Sequence, residues 1–151
     1  MPDLVQEGRL PSFTLPPAVG GPPLRYASLL RRRRIVVLIL SDKPGAGDKG
    51  RAWLARARQS AGEFTERDMT VLIIAQNPTE IKEAEKLPAP FVLLKDEDGV
   101  VSTKLGGAPA FYLVGKDTSI VRAARVAPRL PELWAQIDAM PMRRDEMRRK
   151  G

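Results

Sequence analysis

The chain alternates between unbroken apolar runs and segments whose apolar positions recur at helical spacing. Ile35–Leu40 is continuously apolar and reads as a buried parallel strand. A glycine-rich loop follows. From Asp48 to Arg67 the spacing predicts one helix, with Trp53, Leu54, Ala57, Ala61 and Phe64 on its core face. "MTVLIIAQ" (Met69–Gln76) is a second buried strand. Strand, helix, strand is a βαβ unit, which requires parallel pairing and a right-handed crossover.

"NPTE" predicts a further helix start: Asn77 caps, Pro78 takes the first helical position, and Glu80 completes a capping box before the helix ends ahead of Pro88. "FVLLKDEDG" is a third strand closing in an acidic turn, and "VVSTKLGG" a short helix or turn. Phe111–Val114 and Ile120–Ala123 flank a turn over Gly115–Ser119, which is a hairpin. Leu130–Met140 is a closing amphipathic helix. Upstream, Phe13–Leu15 is extended and Gly20–Pro23 is a turn. One domain is expected over residues 1–140, with a basic, frayed tail over 141–151.

Composition narrows the chemistry. The 151 residues contain no Cys and no His. Disulfides, thiolate nucleophiles, imidazole acid–base steps and the usual soft metal sites therefore have no residues to use. The expected cofactor and metal complement is none. The formal charge is +7, with arginine dominant, so nonspecific attraction to anions is expected. Arg31–Arg34 reads as an exposed loop, with no aromatic or glycine pattern of a nucleic-acid module beside it. A single Asn and abundant Pro lean toward a thermophilic source or a GC-rich genome. No apolar run approaches the ~20 residues of a membrane span. Met1–Gly8 is too polar for a leader, so a soluble cytoplasmic protein is expected.

Four segments carry a resemblance. "GRLPSFTLP" (Gly8–Pro16), "RRIVVLIL", "PFVLLKDEDGVVSTKLG" (Pro90–Gly106) and "APAFYLVGKDTSIV" (Ala108–Val121) stand in one order along the chain. In that order they resemble the peroxiredoxin-like and thiol-disulfide oxidoreductase branch of the thioredoxin-like superfamily. The resemblance implies a thioredoxin-like α/β fold: a central mixed sheet, βαβ then hairpin, flanked by helices. It also implies a cis peptide bond at Pro109, with the backbone near Ala108 open to an extended peptide.

The likeness fails where that family places its cysteines. Alternative alignments put them at Ala46, Gly47, Gly50 or Arg51. Thiol peroxidase and disulfide exchange need a thiolate, so this chain performs neither alone. The loop residues Asp42, Lys43, Pro44, Ala46, Gly47, Asp48, Gly50 and Arg51 form a degenerate active-site loop, with Ala108 and Pro109 as the facing wall of a groove. The same loop approximates a phosphate-binding loop, but Arg51 replaces its lysine and Ala52 its hydroxyl. A simple anion at the helix start, beside Lys49 and Arg51, competes with Asp48 acting as its own N-cap. Asp96 and Asp98 lack the closing Glu of a calcium loop and read as a solvated turn. The leading expectation is a redox-inactive module binding a protein or peptide. The alternatives are a family-type redox role with a cysteine-bearing partner, and a basic module for nucleic acid or another anion.

Overall fold

Every residue of the central apolar run is buried, and that dictates where it lies. The computed structural model describes residues 3–43, 45–77 and 87–150. A two-residue ribbon, β1 (Thr14–Leu15) and β2 (Leu24–Arg25), precedes β3 (Arg34–Ile39). Then come α1 (Asp48–Gln59), α2 (Ala61–Glu66), β4 (Met69–Ala75), β5 (Phe91–Lys95) and α3 (Val100–Lys104). β6 (Ala110–Val114), β7 (Ile120–Ala124), α4 (Leu130–Asp138) and α5 (Pro141–Lys150) complete the chain. A strand with no exposed residue needs a neighbour on both edges and cover on both faces. β3 has both: the sheet order is β5-β4-β3-β6-β7, parallel from β3 to β5 and antiparallel from β3 to β7.

The period-2 alternation of the strands sorts their side chains into two cores. Val36, Leu38, Val71, Ile73, Phe111 and Leu113 face α1, α2 and α4, where Trp53, Phe64, Leu133 and Ile137 are buried. Ile35, Val37, Ile39, Leu72, Ile74 and Tyr112 face the N-terminal segment, through Leu10, Phe13, Leu15 and Tyr26. Phe64 is the hub of the first core, meeting Trp53, Phe91 and Trp134 edge-on at 6.1, 5.2 and 4.7 Å between centroids.

Three expectations are corrected. The single helix over Asp48–Arg67 is two, because Ser60 leaves helical geometry (φ −110°, ψ 27°) and its N–H turns back onto the Ala57 carbonyl. Arg34 is not loop but the first residue of β3, with its side chain 1% exposed. The tail is not frayed: it is α5, docked by charge. Arg34 donates to both Glu146 oxygens at 3.0 Å and to the Arg67 carbonyl at 2.8 Å. Lys116 bridges Glu146 (2.8 Å) and Asp68 (2.9 Å). Arg67 and Arg143 both grip Asp138, and Arg143 also pairs with Glu66. The helix expected after Asn77 falls on residues 78–86, outside the described residues.

Burial alone would raise the Glu146 pKa, but the hydrogen bonds and charges of Arg34 and Lys116 outweigh it and bring it down from 4.5 to about 2. A carboxylate with a folded pKa below its unfolded value stabilises the fold above the unfolded pKa and loses that contribution as pH falls through the folded one. We expect Glu146→Gln to cost about 2–3 kcal/mol near neutral pH, somewhat below the ~3–5 of a fully buried broken pair. We also expect the wild type to lose more stability than the variant between about pH 5 and pH 2. Urea midpoints across that range test both; parallel pH dependences would refute the assignment.

Candidate functional site

At the carboxyl end of β3 the chain turns sharply. Ser41 is buried, and its Oγ accepts the Lys43 N–H at 3.2 Å. The loop then folds back so closely that a Cβ on Gly47 would lie 2.4 Å from the Ser41 carbonyl oxygen. Gly47, not Asp48, is the N-cap of α1. Asp48 is the first helical residue and the cap has no side-chain hydrogen bond, which corrects the expected self-capping aspartate. The reason is space: the cap position touches the strand end, where only glycine fits. Gly50 faces Leu40, whose methyl would sit 2.7 Å from an added Cβ.

The opposite wall comes from the approach to β6. Ile39 pairs with Ala110, so the preceding residues lie beside the β3 loop. The Ala108–Pro109 bond is cis, as is Ala89–Pro90. The Arg125 guanidinium, just past β7, holds this segment by donating to the carbonyls of Gly106 (2.9 Å), Gly107 (3.1 Å) and Pro109 (3.2 Å). Between the walls lies a pocket of about 50 Å³, lined in part by Leu40, Ser41, Gly47, Lys49, Pro109 and Val126. It is much smaller than the roughly 300–1,000 Å³ of small-molecule sites.

Of the loop residues singled out in the sequence, Ala46, Gly47 and Gly50 line this pocket together with Pro109. Asp42, Lys43, Asp48, Arg51 and Ala108 do not line it, and Pro44 lies outside the described residues. Asp42, Lys43 and Asp48 are exposed; Ala108 is half-buried. Arg125 and the exposed Val126 were missed: a clamp onto backbone carbonyls leaves no pattern in the sequence. Among the described hydrogen bonds none uses the Ala108 N–H or carbonyl.

The other candidates resolve as structure. Asp96 is buried rather than solvated: it accepts the Ser102 N–H at 2.8 Å and its hydroxyl at 2.7 Å, and the Val101 N–H at 3.3 Å, anchoring α3. Gly99 beside it takes φ +70°. Trp53 donates from Nε1 to the Pro128 carbonyl at 2.9 Å. Tyr112 donates to the Leu105 carbonyl at 2.5 Å and accepts the Val5 N–H at 3.1 Å. Tyr26 is stacked on Phe13, and burial lifts its phenol to about 12, far from any role near neutral pH. Among the described residues no helix is long and apolar enough to cross a membrane.

A parallel β3-β4-β5 half joined to an antiparallel β3-β6-β7 half, with the strand-to-helix loop facing a cis-proline, defines a thioredoxin-like fold. Solved structures agree. Peroxidoxin BcpB from Mycobacterium tuberculosis superposes with a TM-score of 0.70 at 19% identity, over 91% of this chain and 98% of that one. DsbF of the same organism gives 0.63 at 20%, over 86% and 98%. A reduced 2-Cys peroxiredoxin from Plasmodium vivax gives 0.71 at 12%, over 91% and 82%. At these identities the likeness establishes the fold alone. The family model described as "Domain of unknown function (DUF4174)" matches residues 27–146, and the chain belongs to that family. No curated protein sequence matches it.

Two substitutions probe the site's construction. Gly47→Ala must displace the loop from the Ser41 carbonyl, and we expect a loss of about 1–3 kcal/mol, the usual cost of overpacking, read as a shifted urea midpoint. Arg125→Met removes three carbonyl hydrogen bonds, and exchange of the hydrogen-bonded amides of Gly106 and Gly107 should accelerate at least ~10-fold, the equivalent of ~1.4 kcal/mol. Unchanged exchange would mean that the segment holds its shape without the clamp.

Proposed function

We propose that the cleft between the β3–α1 loop and the Ala108–Pro109 segment binds an extended peptide of a protein partner, in a thioredoxin-like domain that carries out no redox chemistry of its own. The observation that carries this reading is the Ala108 amide and carbonyl beside the pocket, which have no hydrogen-bond partner among the described residues. Free backbone groups on an ordered segment accept a strand-like peptide by main-chain hydrogen bonds, and an adjacent pocket selects a side chain. Val126 is 52% exposed on the pocket rim, where an apolar side chain gains by being covered. The absence of cysteine from all 151 residues supports binding over thiol exchange, since no atom here becomes the attacking thiolate.

Selection from a displayed library of linear peptides, followed by amide-shift mapping, tests the reading. The expected result is a peptide whose shifts centre on Ser41–Gly50 and Gly107–Ala110, with affinity falling at least ~10-fold in Val126→Glu, as befits loss of an apolar contact worth ~1.4 kcal/mol. Selected peptides that map elsewhere, or that ignore the substitution, would refute it.

A further inference from the structure

We infer that the pole of the molecule opposite the cleft is a composite arginine face that binds the phosphate backbone of duplex nucleic acid without sequence preference. The inference is independent of the cleft. Two basic segments far apart in sequence meet at this pole. Arg31–Arg33 lead into β3 at its amino end, and α5 carries Arg144, Arg148 and Arg149. The buried pair Arg34–Glu146 joins the two segments across 112 positions of sequence. All six arginines are exposed. Arg148 pairs with Asp145, whereas Arg31, Arg32, Arg33, Arg144 and Arg149 have no ion-pair partner among the described residues.

Apart from Asp145, which is exposed and pairs with Arg148, the acidic groups at this pole are turned to internal work. Glu146 lies between Arg34 and Lys116, Asp68 pairs with Lys116, and Asp138 and Glu66 are held by Arg143. The cations those carboxylates neutralise are the buried ones, so the exposed arginines keep their charge. Arg31 adds a second observation. It is held at φ +70°, where glycine or asparagine costs less. The position carries an arginine nonetheless.

The chemistry selects the partner. The six guanidinium groups favour bidentate contact with phosphate oxygens. A single strand would need aromatic platforms for its bases. Here Tyr26, Tyr112, Trp53 and Phe64 are buried, and Trp134 is packed against Phe64 and beneath Arg67. A membrane surface would need an apolar face on α5. That helix offers only Met142 and Met147 among its charged residues. A rigid array of phosphates is the remaining fit.

The test uses fluorescence anisotropy of the full chain with a labelled duplex of about 20 base pairs and arbitrary sequence, titrated across ~50–200 mM KCl. With ~4–6 phosphates contacted, affinity should fall about 10²–10³-fold over that range. Arg31→Gln/Arg32→Gln/Arg33→Gln and Arg144→Gln/Arg148→Gln/Arg149→Gln should each lower the salt slope by about 2–3. All substituted positions are exposed, and thermal melts of both variants check that the fold is kept. Scrambling the duplex should change nothing. If either triple variant binds like the wild type, the face is not composite and the inference fails. It fails equally if single strands bind as tightly as duplex, or if vesicles rich in phosphatidylserine compete the duplex away.

Discussion

The pairing of Ile39 with Ala110 across β3 and β6 is the constraint on which the cleft depends. β3 has no exposed residue, so its register is set from both faces at once: even positions must meet Trp53 and Phe111, odd positions Tyr112 and Leu10. A slip of one residue would turn each set into the wrong core. With the register fixed, the last residues of β3 and the first of β6 leave the sheet together. The β3–α1 loop and Pro109 are then neighbours whatever side chains they carry. The site's location is thus a property of sheet packing, established before any residue in the loop contributes.

The amino end of the same strand is organised by charge. Arg34 is as deeply buried as the isoleucines that follow it, which is tolerable only because its guanidinium reaches two carboxylate oxygens and a carbonyl. That requirement recruits α5. Arg67, Lys116 and Arg143 extend the same arrangement to Asp138, Asp68 and Glu66. The strand therefore ends apolar at the cleft and begins ionic at the opposite pole.

The sequence pattern reveals the apolar skeleton and conceals the ionic one. Continuous runs give β3, β4 and β5 within a residue or so, because burial on both faces leaves no room for polar positions. The hairpin of β6 and β7 follows from two apolar runs and a short turn. α5 is invisible to the same logic: it docks through Arg143 and Glu146, which hydrophobic periodicity scores as solvated. Arg34 hides in a run of four arginines, three of which are exposed. Asp96 hides in an acidic turn while anchoring α3. In each case the deciding partner lies far away in sequence or is a backbone group, and neither leaves a local trace. At the cleft, glycines and prolines announce a loop, but not that Gly47 is required by its distance to Ser41 or that Arg125 braces the facing wall.

This construction explains how a thioredoxin-like cleft persists in a chain without cysteine. Its shape rests on the close approach of Gly47 to the Ser41 carbonyl, on Gly50 against Leu40, and on Arg125 holding three carbonyls. No sulfur atom takes part in any of these contacts. What the frame holds is a small pocket beside an ordered segment whose Ala108 amide and carbonyl have no hydrogen-bond partner among the described residues.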